Sequence, residues 1–122
     1  FYAKISDNDL ALLHYSGALE TLSKLDDPQS AVEVEMLLGQ VLVDAGRREE
    51  AAEHYLSGLA VAEANDFRVL QGEILARLGE VEPDRSQRMN YLQRSLSLFR
   101  ELGAVDRMRE VQNSVHRAVM GK

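Results

Sequence analysis

Residues 34–63 read VEMLLGQVLVDAGRREEAAEHYLSGLAVAE, and this stretch decides the fold. Its apolar residues do not alternate, as a half-buried strand would require. Val34, Leu37, Leu38, Val41, Leu42 and Ala45 recur at steps of three and four, which places them on one stripe of a helix. Gly46 then interrupts the pattern where a helix would need a left-handed residue to end. The spacing resumes in Ala52, Tyr55, Leu56, Leu59 and Ala62. Two amphipathic helices separated by so short a turn must lie antiparallel, as a hairpin.

The same reading extends both ways. An earlier stripe runs through Leu12, Tyr15, Leu19, Leu22 and Leu25. Later ones run through Ile74, Leu75, Leu78 and Val81, through Met89, Leu92, Leu96 and Phe99, and through Val105, Met108, Val111, Val115 and Val119. Helices are therefore expected over 7–25, 29–45, 48–64, 67–81, 85–102 and 105–119, and the chain reads as all-α. The punctuation supports these limits. Pro28 suits a first helical turn, and Ser30 with Glu33 has capping-box spacing. Asn65 is a candidate for the left-handed position, with Asp66 as the following N-cap. Glu82-Pro83-Asp84 makes the next break, and Gly103 the last C-terminal cap.

The stripes repeat. His54-Tyr55 echoes His14-Tyr15 at an offset of 40, and an offset of 37 lays Leu92, Ser95 and Leu96 onto Tyr55, Gly58 and Leu59. Ala18, Gly58 and Ser95 thus mark one recurring place where a small residue lets helices approach. A single hairpin cannot cover its own apolar face, whereas stacked hairpins bury a continuous core. Within the central unit, Leu38-Gly39, the turn Gly46-Arg47, Ala51-x-x-x-Tyr55 and Gly58-Leu59 stand at the spacing of a tetratricopeptide repeat, which the stretch resembles. Glu35 and Glu63 stand where that family usually has tryptophan and proline.

The resemblance implies a right-handed α-solenoid in one domain, 1–122. Its repeats would cover about 1–27 (truncated), 30–65 and 67–102, with a capping helix at 105–119. Phe1 and Tyr2 would then fall partway through a first helix. It also implies a concave groove, lined by the first helix of each hairpin, that grips a protein or peptide. The candidate groove residues are Glu33, Met36, Gln40, Val43 and Asp44, then Leu70, Glu73, Arg77, Glu80 and Val81. They mix acids, one arginine and apolar anchors, which suits an amphipathic segment with some positive charge. Met36 and Gln40 stand where chaperone-tail binders carry lysine and asparagine, so that ligand is disfavoured. Two roles remain open: a scaffold or adaptor, and the sensor region of a larger regulatory protein.

Other chemistries find little support. There is no cysteine, no glycine-rich phosphate loop and no nucleophile-elbow motif. Glu50 and His54 share a helix face, but an acid–histidine pair at that spacing is ordinarily a solvated pair, and His14 and His116 have no ligand cluster in sequence. No enzyme activity, metal or cofactor is expected. No apolar run reaches the roughly 18 to 20 residues of a membrane span. Residues 1–83 hold 16 acids against 6 bases, which repels nucleic acid; residues 84–122 hold 4 against 8. A cytoplasmic location fits the missing cysteines. Homodimerisation through the N-terminal end is expected from Phe1, Tyr2 and Ile5, with Arg107, Arg109, Glu110, His116 and Arg117 giving the last helix a polar outer face.

Overall fold

The structure is a computed structural model that describes residues 7–120, so Phe1, Tyr2 and Ile5, on which the expected apolar N-terminal end rests, lie outside the described residues. Six helices follow one another: α1 (Asp7–Leu25), α2 (Pro28–Asp44), α3 (Arg48–Ala64), α4 (Arg68–Val81), α5 (Arg85–Leu102) and α6 (Val105–Met120). No strand occurs among the described residues. Each helix packs on the next, and the α2–α3 and α4–α5 pairings are the most extensive.

The helix ends reveal the repeat more sharply than the stripes do. Asp26, Asp66 and Gly103 all adopt left-handed backbone, with φ of 55°, 58° and 70°. At each, the amide bonds the carbonyl three residues back (Ser23, Glu63, Arg100), and the next amide bonds the one five back from itself (Leu22, Ala62, Phe99). This paired pattern is the Schellman motif, used at offsets of 40 and 37 and also by Gly46 at the end of α2, with φ of 79° and bonds to the Val43 and Leu42 carbonyls. It corrects one expectation: Asp66, not Asn65, is the left-handed residue, and Phe67 takes the N-cap position with no side-chain bond. A second correction falls on α2. Its cap is Asp27, whose carboxylate accepts from the Ser30 amide at 3.2 Å, so the Ser30–Glu33 box is not formed. Pro28 supplies the first helical position, as expected.

Only the break after α4 departs from the scheme. Glu82 and Asp84 are extended, Pro83 lies between them, and α4 is 14 residues long where α2 is 17. The repeat offset drops from 40 to 37 because α4 lacks its last turn.

Tyr55, Leu42, Val32, Ile74, Leu75 and Leu78 lie at the heart of a core shared by α2, α3 and α4. Leu92, Phe99 and Val111 form a second cluster, closed by Met108, Val115 and Ala118 of α6. Glycines make the close approaches possible. A Cβ on Gly39 would stand 2.3 Å from the Tyr55 ring, and one on Gly72 2.6 Å from the Phe99 ring. The expected small-residue positions also sit at crossings. Gly58 lies between Glu35 and Ile74, and the buried Ser95 hydroxyl donates to the Gly72 carbonyl at 2.6 Å.

Candidate functional site

Helix α2 approaches α4, and α4 approaches α6, whereas α1, α3 and α5 do not approach one another. The even-numbered helices therefore share one face of the stack. A hollow of about 390 Å³ lies on it, with Met36, Ala76, Phe99 and Val111 among its apolar lining. Glu73, Arg77 and Glu80 of α4 and Asp106, Arg107 and Glu110 of α6 supply its charges.

Four of the expected groove residues, Met36, Glu73, Arg77 and Glu80, line this hollow. Gln40 and Asp44 join them through hydrogen bonds. Arg77 Nη1 donates to Gln40 Oε1 at 2.7 Å, and Gln40 Nε2 donates to Asp44 Oδ1 at 3.0 Å. This relay runs from α4 to the end of α2 and fixes the Arg77 guanidinium across the groove. Glu33 is exposed on α2. Val43 and Leu70 are half-buried and pack against the core. Val81 is a correction: at 6% exposure it is a core residue.

The misplacement has a definite cause. The expected α4 positions are those of α2 moved by 37, but α2 maps onto α4 at 40, as Gly39 maps onto Gly79. The larger offset brings in Ala76, which does line the hollow, and drops Leu70 and Val81; it does not reach Arg77, which lines the hollow from the next position.

The contribution of α6 also corrects the sequence reading. Arg107 belongs there to a polar outer face, yet its guanidinium meets Glu73 at 3.0 Å. Arg117 reaches Glu80 at 3.9 Å and donates to the Ser114 hydroxyl at 3.0 Å. Arg107, Glu110, Ser114 and Arg117 recur at steps of three and four, so α6 carries a polar stripe beside its apolar one. That spacing was the available signal. The groove face as a whole is acidic, with Glu33, Asp44, Glu73, Glu80, Asp106 and Glu110 against Arg77, Arg107 and Arg117.

The Tyr55 phenol is pushed up from its ordinary value by burial; the Arg77 charge opposes the shift, while Glu80 and Asp44 add to it. These neighbours place the buried ring's polar end near the relay. Glu80 and Ser114 also line a second hollow of about 980 Å³, bounded by Arg48, Leu56, Pro83, Leu92 and Ala118. It lies at the C-terminal end of α4, where Leu56 is 46% exposed.

The histidines are arranged otherwise than as a metal site. Glu50 does not pair with His54; both its oxygens take the Arg47 guanidinium, at 2.6 and 2.7 Å, which holds the carboxyl below its usual range. His54 Nδ1 instead meets Glu35 of α2 at 2.7 Å. No group of three or more histidine, aspartate or glutamate side chains among the described residues could hold a metal. No described helix is long and apolar enough to cross a membrane. No protein-family profile matches the chain, and no curated protein is detectably similar to it.

Proposed function

We propose that this chain is a tetratricopeptide-like interaction module, a right-handed superhelical stack of cytoplasmic type, that holds a peptide or partner helix along the inner face of α2, α4 and α6. The observation that carries this reading is the groove: an apolar floor of Met36, Ala76 and Val111 between charges contributed by consecutive even helices. A hollow of about 390 Å³ accepts a few side chains rather than a whole helix, so the bound segment would lie over it and insert anchors. Acids outnumber bases along the face, and a partner with lysines or arginines on its polar side complements it. Arg77, fixed by Gln40, offers one place for a carboxylate.

Isothermal titration with designed amphipathic helices tests this. A peptide bearing lysines on its polar face should bind, one bearing glutamates should not, and added salt should weaken the complex. Glu80→Lys should weaken the lysine peptide. Arg77→Glu should cost about 1 kcal/mol only for a peptide that carries a glutamate opposite it. Equal binding of both peptide types, or affinity indifferent to Glu80→Lys in a protein that remains helical, overturns the proposal.

A further inference from the structure

Tyr55 projects from α3 into the core that it shares with α2 and α4, and Gly39 of α2 makes room for its ring. The ring carbon that carries the hydroxyl, Cζ, lies 2.5 Å from where a Cβ on Gly39 would stand. Gly39 falls between Met36, which lines the hollow, and Gln40, which takes the Arg77 guanidinium. Besides burial, the phenol responds to the charges of Arg77, Glu80 and Asp44. All three belong to the groove. The ring thus passes α2 at its glycine and turns its polar end to the groove, beside the hollow.

The core makes no use of that polar end. Tyr55 is 1% exposed, yet its hydroxyl forms no hydrogen bond among the described residues. Sealed from water, it would be a buried polar atom without a partner, and the described residues contain none. The hydroxyl is therefore where the ring meets solvent, at the foot of a narrow well. The charges around the well do not balance. Arg77 Nη1 is taken by the neutral Gln40 at 2.7 Å. Asp44 accepts from the same Gln40 side chain at 3.0 Å and has no cation partner among the described residues. Glu80 pairs with Arg117 only at 3.9 Å. Two carboxylates thus stand against one guanidinium, with an unbonded oxygen beneath them.

We propose that this well receives one lysine of the groove-bound segment, its ammonium donating to the Tyr55 hydroxyl oxygen while the Glu80 and Asp44 carboxylates offset its charge. An ammonium carries three donors and no acceptor, which suits a place lined by oxygens. Its slim stem and compact head fit a narrow opening better than the planar fork of arginine. The subsite rests on the groove reading above and sharpens it: among the lysines of a bound segment, a single one is read by a buried tyrosine.

Tyr55→Phe removes the hydroxyl and keeps the ring, so the core packing is preserved. The probes are the lysine-faced amphipathic peptide and a set in which each lysine in turn is norleucine, which retains the stem without the ammonium. In calorimetric titration of the whole chain, one norleucine peptide should bind about tenfold more weakly than the parent peptide. Tyr55→Phe should weaken the parent peptide by a similar factor and leave that norleucine peptide unaffected. In protein isotopically labelled at the tyrosine Cζ, the Tyr55 NMR signal, assigned by its loss in Tyr55→Phe, should move on binding the parent peptide and stay in place with that norleucine peptide. The proposal is overturned if Tyr55→Phe binds the parent peptide as tightly as the unaltered protein does, or if it weakens every norleucine peptide alike. Binding of a glutamate-faced peptide that depends on the Tyr55 hydroxyl would assign the well to a carboxylate held with Arg77 and overturn it equally. These outcomes strike the subsite alone, whereas no binding of the lysine peptide to the unaltered protein overturns the subsite together with the groove reading.

Discussion

The hairpins α2–α3 and α4–α5 are built on one plan with different residues. At offsets of 40 for the first helix and 37 for the second, Gly39 with Tyr55 corresponds to Gly79 with Leu92. Where the first hairpin has Val32 and Ala62, the second has Gly72 and Phe99. The aromatic ring has moved two turns along the second helix, and a receiving glycine stands two turns back along the first, as antiparallel packing demands. The polar pair Glu35–His54 is replaced by Leu75 and Tyr91. What is shared is the fitting of bulk against absence of bulk at each crossing, since interiors tolerate changed chemistry better than changed volume.

The largest effect should come from emptying the ring sites. Phe99→Ala and Tyr55→Ala should each lower stability by about 3–5 kcal/mol in urea denaturation. Tyr55→Leu, which copies Leu92 over its glycine, should cost markedly less than Tyr55→Ala. Equal losses for the two replacements at Tyr55 would break the correspondence between hairpins.

Filling the glycine comes next. Gly39→Ala should destabilise by about 1–3 kcal/mol through overpacking, even though alanine favours a helix interior by about 1 kcal/mol. Gly17 is the contrasting site, a helical glycine whose Cβ would meet nothing within 4 Å. Gly17→Ala should therefore stabilise by about 0.5–1 kcal/mol. Thermal unfolding of the two variants should shift in opposite directions.

Much of this plan was legible in the sequence. Periodicity sets the helix limits within a residue or so, because the stripes end at a glycine, a proline or a pair of Asp or Asn residues whose backbone preference is strong. The groove was only partly legible. One offset serves α3 and α5, another α2 and α4, and using 37 for all puts Val81 in the groove although it is a core residue. The right choice needs each helix matched to its own counterpart, because Pro83 ends α4 early and makes the offset between first helices differ from that between second helices. The part played by α6 was hidden for a different reason. Its arginines look like a solvent cap, and only packing brings Arg107 to Glu73 across from another helix.

The polar pair offers a smaller, sharper comparison. Glu35→Leu with His54→Tyr gives the first hairpin the residues that the second holds at Leu75 and Tyr91. Each single change strands one partner in a partly buried place, and the double change removes both. A double-mutant cycle should return a favourable coupling of about 0.5–1 kcal/mol between Glu35 and His54, with the double variant close to the parent in stability. Zero coupling would mean that the contact is incidental to the hairpin.

The smallest effect concerns the shared helix stop. Asp66 and Gly103 hold equivalent Schellman positions, at φ of 58° and 70°, one with a Cβ and carboxylate and one without. Left-handed backbone costs an L-residue roughly 1–2 kcal/mol, less for aspartate, and costs glycine nothing in sterics. Asp66→Gly relieves that strain but gives the unfolded chain more freedom, which offsets part of the gain. The net expectation is a stabilisation of about 0.5 kcal/mol. Gly103→Ala runs the other way, because it installs a Cβ at positive φ, and should cost about 1 kcal/mol. Neither position confounds the result by packing: Asp66 is exposed, and a Cβ on Gly103 meets nothing within 4 Å. Opposite signs in paired denaturation curves would establish that one backbone motif, rather than the residue it happens to carry, ends the second helix of each hairpin. Matching signs would mean that the two stops are held by different forces.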